Sequence, residues 1–126
     1  MYLNLEKIVT MPQIDVERAL QALDGNAELL KDLASMFVED APLLLVQLKN
    51  ALADNRPTQA RLVVHGLKGL VATFYAKSVV EIAQRLEDAA AEGNMSFFFK
   101  GEFEQLEKSI GSIMGEFVVL GWVNRR

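Results

Sequence analysis

The chain contains no cysteine. That excludes a disulfide framework, a thiol nucleophile and a thiolate metal site. It contains a single histidine, His65, so a multi-histidine zinc site within one chain is excluded as well. Basic charge is in short supply, with 13 Lys and Arg against 17 Asp and Glu. The resulting net charge of −4 argues against nucleic acid as the main partner, because phosphate-backbone binding needs a net basic face. No apolar run approaches the ~18 residues that suggest a membrane span. Glu6 and Lys7 interrupt the apolar N-terminus, which lacks the layout of a signal peptide. The location expected from this is the cytoplasm. There is no Gly-rich phosphate loop or Walker-type lysine, which excludes an autonomous ATP-dependent kinase. Proline is scarce, and no strand pattern, internal repeat or linker interrupts the chain.

What the chain does have is helical periodicity. At 126 residues it is long enough for one core but not for two, so residues 1–126 are read as one domain. Residues 1–13 read as an N-terminal extension, with Met1–Met11 extended or a short helix, and 14–120 as a helical bundle. Asp15 is a plausible N-cap for a short helix Val16–Leu23 that ends at Gly25. Asn26 can cap the next helix, which runs to about Asp54 with Leu30, Leu33, Phe37, Leu44, Leu48 and Leu52 on one side. Pro42 removes one backbone donor there, and a kink is expected near Val38–Pro42. Asp54-Asn55-Arg56-Pro57 is a turn signal, with Pro57 suited to a first helical position. A helix from about Thr58 to Phe74 follows, then a short connection Tyr75–Ser78 with weak turn chemistry, and a helix Val79–Ala91. Gly93-Asn94 ends that helix and Ser96 can cap the last one. There Phe99, Phe103, Leu106, Ile110, Ile113, Phe117 and Leu120 recur at spacings of four and three. The fold class expected is all-α, an antiparallel up-down four-helix bundle with an additional short N-terminal helix.

The third of these helices holds the one histidine. Val63, Val64, Leu67, Leu70, Val71 and Phe74 fall on one side at about 100° per residue, while Arg61, His65, Lys68 and Ala72 share the opposite side. His65 is therefore expected to face water, with the cation of Lys68 one turn along. Gly66 and Gly69 each cost a helix interior roughly 0.5–1 kcal/mol relative to alanine. Close approach of another surface to His65 is a physical reason to accept that cost; close helix packing is the plainer one. A lone histidine is most often an ordinary core or surface residue, but its place on the polar side beside Lys68 and Gly69 favours a functional role.

His65-x-x-Lys68-Gly69 on an amphipathic helix resembles the core motif of histidine-containing phosphotransfer (HPt) domains. The resemblance runs from about Ile14 to Phe117. It includes Leu29-Leu30…Leu33…Phe37-Val38-Glu39-Asp40-Ala41-Pro42 before the motif and Leu86-Glu87-Asp88-Ala89-Ala90…Gly93 after it. The resemblance implies that Nε2 of His65 attacks an acyl phosphate on a partner's aspartate, forming a phosphohistidine that is then passed on. It implies that Lys68 offsets the phosphoryl charge. Gln84 and Glu87, three apart on the next helix, match positions of the family's orienting groups. Glu87 would accept from Nδ1–H, and Gln84 would bond the ring or the phosphate. Arg61, Gly66, Gly69 and Ala72 are the expected docking face.

Partners implied are response-regulator receiver domains and a sensor or hybrid histidine kinase. No cofactor and no metal are expected on this chain, the Mg²⁺ belonging to the receiver, and a monomer is expected ahead of a dimer. Two positions depart from the family pattern: Gly66 stands where a small hydroxyl residue is frequent, and Tyr75 where a small residue, often glycine, precedes the alanine matched by Ala76. Tyr75 is expected to affect the connection and the choice of partner more than the chemistry. Phe97-Phe98-Phe99 and Phe117–Val123 are expected to pack in the core against the N-terminal extension, a dimer seam or a contact with an adjacent domain being the rarer explanation.

Two other readings compete. A non-catalytic helical adaptor would leave His65 incidental. A small enzyme with His65 as general base would need a concave pocket and a converging acid or oxyanion site.

Overall fold

A computed structural model describes residues 12–124, apart from the side chains of Phe97 and Phe98. The extension or short helix expected at Met1–Met11 lies outside the described residues. Five helices make up the described chain: α1 (Val16–Ala22), α2 (Ala27–Ala53), α3 (Pro57–Thr73), α4 (Lys77–Ala91) and α5 (Phe97–Val119). No strand occurs among the described residues. The long helices pack in succession, α2 on α3, α3 on α4 and α4 on α5, and α5 returns to α2. The short α1 rests on α2.

Caps set several of the boundaries. The side chain of Asp15 accepts from Arg18 N–H and that of Asn26 from Leu29 N–H, so each satisfies a backbone donor the first turn leaves free. Pro57 takes the first position of α3, where its missing N–H costs nothing. Ser96 does occupy the N-cap of α5, but its side chain makes no capping bond. Instead its own N–H donates to Asn94 Oδ1 at 3.3 Å.

Three of the connections and the end of α5 are built the same way, on a residue with positive φ just past the helix. These residues are Asn55 (φ 52°), Tyr75 (φ 53°), Gly93 (φ 75°) and Gly121 (φ 76°). After each, the next residue's N–H reaches back to a carbonyl in the last turn, as Arg56 does to Ala51 and Ala76 to Val71. This resolves the connection that looked chemically weak in the sequence. Tyr75 does a glycine's work, and α4 begins at Lys77, two residues before the expected Val79.

The core face of each helix is the one its apolar spacing marks. α2 runs unbroken through Pro42, and Phe37, Ala41, Leu45 and Leu48 stay buried in phase on either side of it. Phe37 meets Phe74 and Phe117 edge-on, at 5.8 and 5.4 Å between centroids. Trp122 stacks on Phe117 at 5.8 Å. Such contacts tie α2, α3 and α5 at one end of the molecule. On α5 the seam holds from Phe99 to Phe117, all fully or nearly fully buried. It fails at Leu120, which is exposed, because α5 stops at Val119 and the chain folds back through Gly121 to seat Trp122.

The segment before α1 is clamped across two helix ends. Glu116 of α5 accepts from the backbone N–H of Gln13 at 2.7 Å and of Ile14 at 3.2 Å. Asp15 N–H donates to the carbonyl of Phe74 at the end of α3.

Candidate functional site

The buried stripe Ala60, Val63, Val64, Leu67 and Val71 turns one side of α3 inward. A helix that buries these residues must present the residues between them. His65 is accordingly on the surface, its side chain 68% exposed. Along the same crest lie Leu62, Gly66, Gly69 and Thr73, all exposed. Arg61 and Ala72 are exposed too, and neither makes a side-chain bond to the cluster around His65. Lys68 is different: it lies on the flank toward α4 and is only 23% exposed.

α4 buries Val79, Ile82, Ala83, Leu86, Ala89 and Ala90. This brings Gln84, Glu87 and Asp88 to the edge that borders α3. The carboxylate of Glu87 is then shared. Oε2 lies 3.0 Å from His65 Nδ1, and Oε1 lies 2.7 Å from Lys68 Nζ. A carboxylate can only accept at neutral pH, so Nδ1 carries a proton in this contact, and in the neutral ring that leaves the Nε2 lone pair free. Glu87 Oε1 is buried, and its contact with Lys68 is a short ion pair without the alignment of a regular hydrogen bond. The Lys68 ammonium beside Glu87 is the main reason its carboxyl lies below the ordinary carboxylate range; His65 adds to this, and partial burial opposes it.

Gln84 is in the cluster, where of its two expected partners, the ring or a phosphate, it does not take the ring. It touches neither ring nitrogen. Its Oε1 accepts from Lys68 Nζ at 2.9 Å, and its Nε2 donates to Asp88 Oδ1 at 2.9 Å. The reason is geometric: Glu87 is nearer the ring and occupies Nδ1, so the residue one turn before it on α4 meets Lys68 instead. Asp88 was not singled out from the sequence. The available signal was its i,i+4 spacing from Gln84, which puts the two on one helical face.

The two glycines beside His65 are not required by packing among the described residues. A Cβ on Gly69 would meet nothing within 4 Å, and one on Gly66 would meet only Leu44 Cδ1 at 3.7 Å, an ordinary contact. Neither has the positive φ that would demand glycine. Beside Gly66 runs a shallow groove of about 320 Å³ between α2 and α3, lined by Asp40, Leu43, Leu44, Gln47, Gly66 and Leu70. Of its lining residues Leu43 is an exposed apolar side chain, and Val46 on α2 and Leu62 on α3 are exposed apolar side chains of the same two helices. A larger groove, about 1080 Å³, involves Ile14, Tyr75, Lys77, Glu116 and Leu120 and includes no member of the His65 cluster. His65 lines neither of these two grooves.

Among the described residues no group of three or more His, Asp and Glu side chains is placed to hold a metal ion. No described helix is long and apolar enough to cross a membrane. Compared with known protein families, residues 32–110 match the model described as Hpt domain. That span holds most of α2, all of α3 and α4, and the first half of α5. No curated protein and no solved structure matches the chain.

Proposed function

The chain belongs to the Hpt domain family, and from that premise we propose that His65 is the phosphoacceptor of a two-component phosphorelay. Its Nε2 lone pair attacks the phosphorus of an aspartyl phosphate on a receiver domain. The N–P bond forms as the P–O bond to the aspartate breaks, and the aspartate leaves as a free carboxylate. Return of the phosphoryl group to a second receiver, or its loading by a sensor or hybrid kinase, uses the same atoms.

The observation that carries this reading is the shared carboxylate of Glu87, 3.0 Å from Nδ1 of an exposed ring. With Nδ1–H held there, Nε2 is the nucleophilic nitrogen, and the positive charge that develops on the ring during attack meets an anion. Lys68 balances that anion and is close enough to meet a phosphoryl oxygen, for which a compact ammonium is well suited. The chemistry is then mostly alignment, which the partner completes. Gly66, Gly69, Leu43, Val46 and Leu62 fit a docking face: bare backbone next to the ring, with apolar side chains around it. Arg61, exposed one turn before His65, suits an acidic receiver surface. Location in the cytoplasm, where such receivers work, belongs to the same proposal.

The test is to mix the protein with a phosphorylated receiver domain and follow the label. Acid-labile, base-stable label should appear on the wild type and not on His65→Gln. Undiminished labelling of His65→Gln, or none on the wild type, removes the reading. The adaptor alternative makes the opposite prediction, intact signalling output after His65→Ala.

A further inference from the structure

Building on the phosphotransfer reading, we propose that Asp88 is a positioning residue for Lys68, acting through the side-chain amide of Gln84. The two ends of that amide differ in sign. Lys68 itself favours the oxygen end. Asp88 fixes the same choice from the other end of the amide and holds it in place. It lies one turn further along α4, its carboxylate can only accept, and it takes the Gln84 NH₂ at 2.9 Å. Gln84 Oε1 is thereby turned to Lys68 Nζ, at 2.9 Å. Reversing the amide would set N–H groups against the ammonium and a carbonyl oxygen against the carboxylate, two repulsions at once.

The consequence falls on Lys68. An ammonium has three N–H groups and rotates freely about its last bond. Glu87 alone gives it one anchor, 2.7 Å away. That contact is an ion pair without hydrogen-bond alignment, so Gln84 supplies the aligned hydrogen bond of the ammonium, which restrains its rotation and directs the remaining N–H groups toward a phosphoryl oxygen beside His65. Asp88 touches neither His65 nor Lys68, so its effect is transmitted rather than direct. The anchors all sit on α4, while Lys68 and His65 sit on α3, so the relay also holds the cation in register across the helix pair.

The experiment compares wild type with Asp88→Ala and Asp88→Asn by two readouts. The first is hydrogen exchange at the Lys68 ammonium, followed by NMR in the unphosphorylated protein. Asp88→Ala should speed it several-fold, while Asp88→Asn, whose amide oxygen still accepts from Gln84, should keep the wild-type value. The second is transfer from a phosphorylated receiver. Asp88→Ala should be roughly three- to tenfold slower, the effect of one net hydrogen bond, with receiver affinity unchanged, and Asp88→Asn should be near wild type. Wild-type exchange in Asp88→Ala overturns the proposal. So does a transfer defect of equal size in Asp88→Asn, or faster transfer in both, since either makes the carboxylate charge the cause. The exchange readout needs no transfer at all. A wild type that accepts no phosphoryl group therefore defeats the phosphotransfer reading alone.

Discussion

Glu87 is the residue on which the surface cluster turns, because one carboxylate serves an imidazole and an ammonium together. Its carboxyl is held below the ordinary value of 4.5, first by Lys68 and then by His65. A carboxyl lowered in the folded state contributes stability that is fully present above its unfolded value and lost as pH falls through the folded one. The Glu87 contribution should therefore be complete above about pH 4.5 and disappear only at more acid pH. Carboxyl NMR titration should place the Glu87 midpoint below that of an unpaired glutamate. Lys68→Ala should raise it, and by more than His65→Ala does; the reverse order would make His65 the principal partner.

Gly69 allows a second prediction at this scale. It is exposed, helical and unobstructed, so Gly69→Ala should stabilise the protein by roughly 0.5–1 kcal/mol in urea unfolding. Gly69→Leu should weaken receiver binding through bulk on the exposed crest. Unchanged receiver affinity in that variant would place the docking face elsewhere.

Among the elements, the end of α3 is the instructive one. Tyr75 holds a positive φ of 53°, a conformation in which a side chain costs about 1–2 kcal/mol. Its ring recovers part of this by lying under the Arg18 guanidinium, 5.3 Å from the centroid. Tyr75→Gly removes both the strain and the stacking, whereas Tyr75→Ala removes only the stacking. The glycine variant should thus be the more stable of the two by about 1 kcal/mol, measured by denaturant unfolding.

The clamp at the start of the chain is testable in the same assay. Glu116→Ala strands the N–H groups of Gln13 and Ile14 and should cost about 1–3 kcal/mol. A loss near zero would mean that water replaces the carboxylate without penalty.

At the scale of the whole molecule, the site and the aromatic core lie apart. Phe74 is nine residues beyond His65 on the same helix, about 13 Å along its axis. Phe37, Phe74 and Phe117 form a contact triangle there, with centroids 4.8 to 5.8 Å apart. Phe37→Ala should cost about 3–5 kcal/mol of stability. Transfer per folded molecule should be nearly unchanged, because α3 and α4 keep their own contact at the His65 end. A transfer defect out of proportion to the folded fraction would show that core and site are coupled.

The sequence by itself determined the all-helical class, the core face of each helix and the outward placement of His65, because these follow from local periodicity. The caps at Asp15 and Asn26 and the turn at Pro57 were legible for the same reason: each depends on residues within one turn. Tertiary structure decided what lies between helices. It put Gln84 on Lys68 and away from the ring, brought Asp88 in behind it, and drew Lys68 to the flank of α3. It also let Tyr75 replace a glycine by offering Arg18 as a cover, and it ended the α5 seam before Leu120 by folding Trp122 back onto Phe117. Periodicity says which side of a helix faces the core. Which atoms meet across the gap to the next helix depends on how the two packed faces settle against each other, and no single helix carries that information.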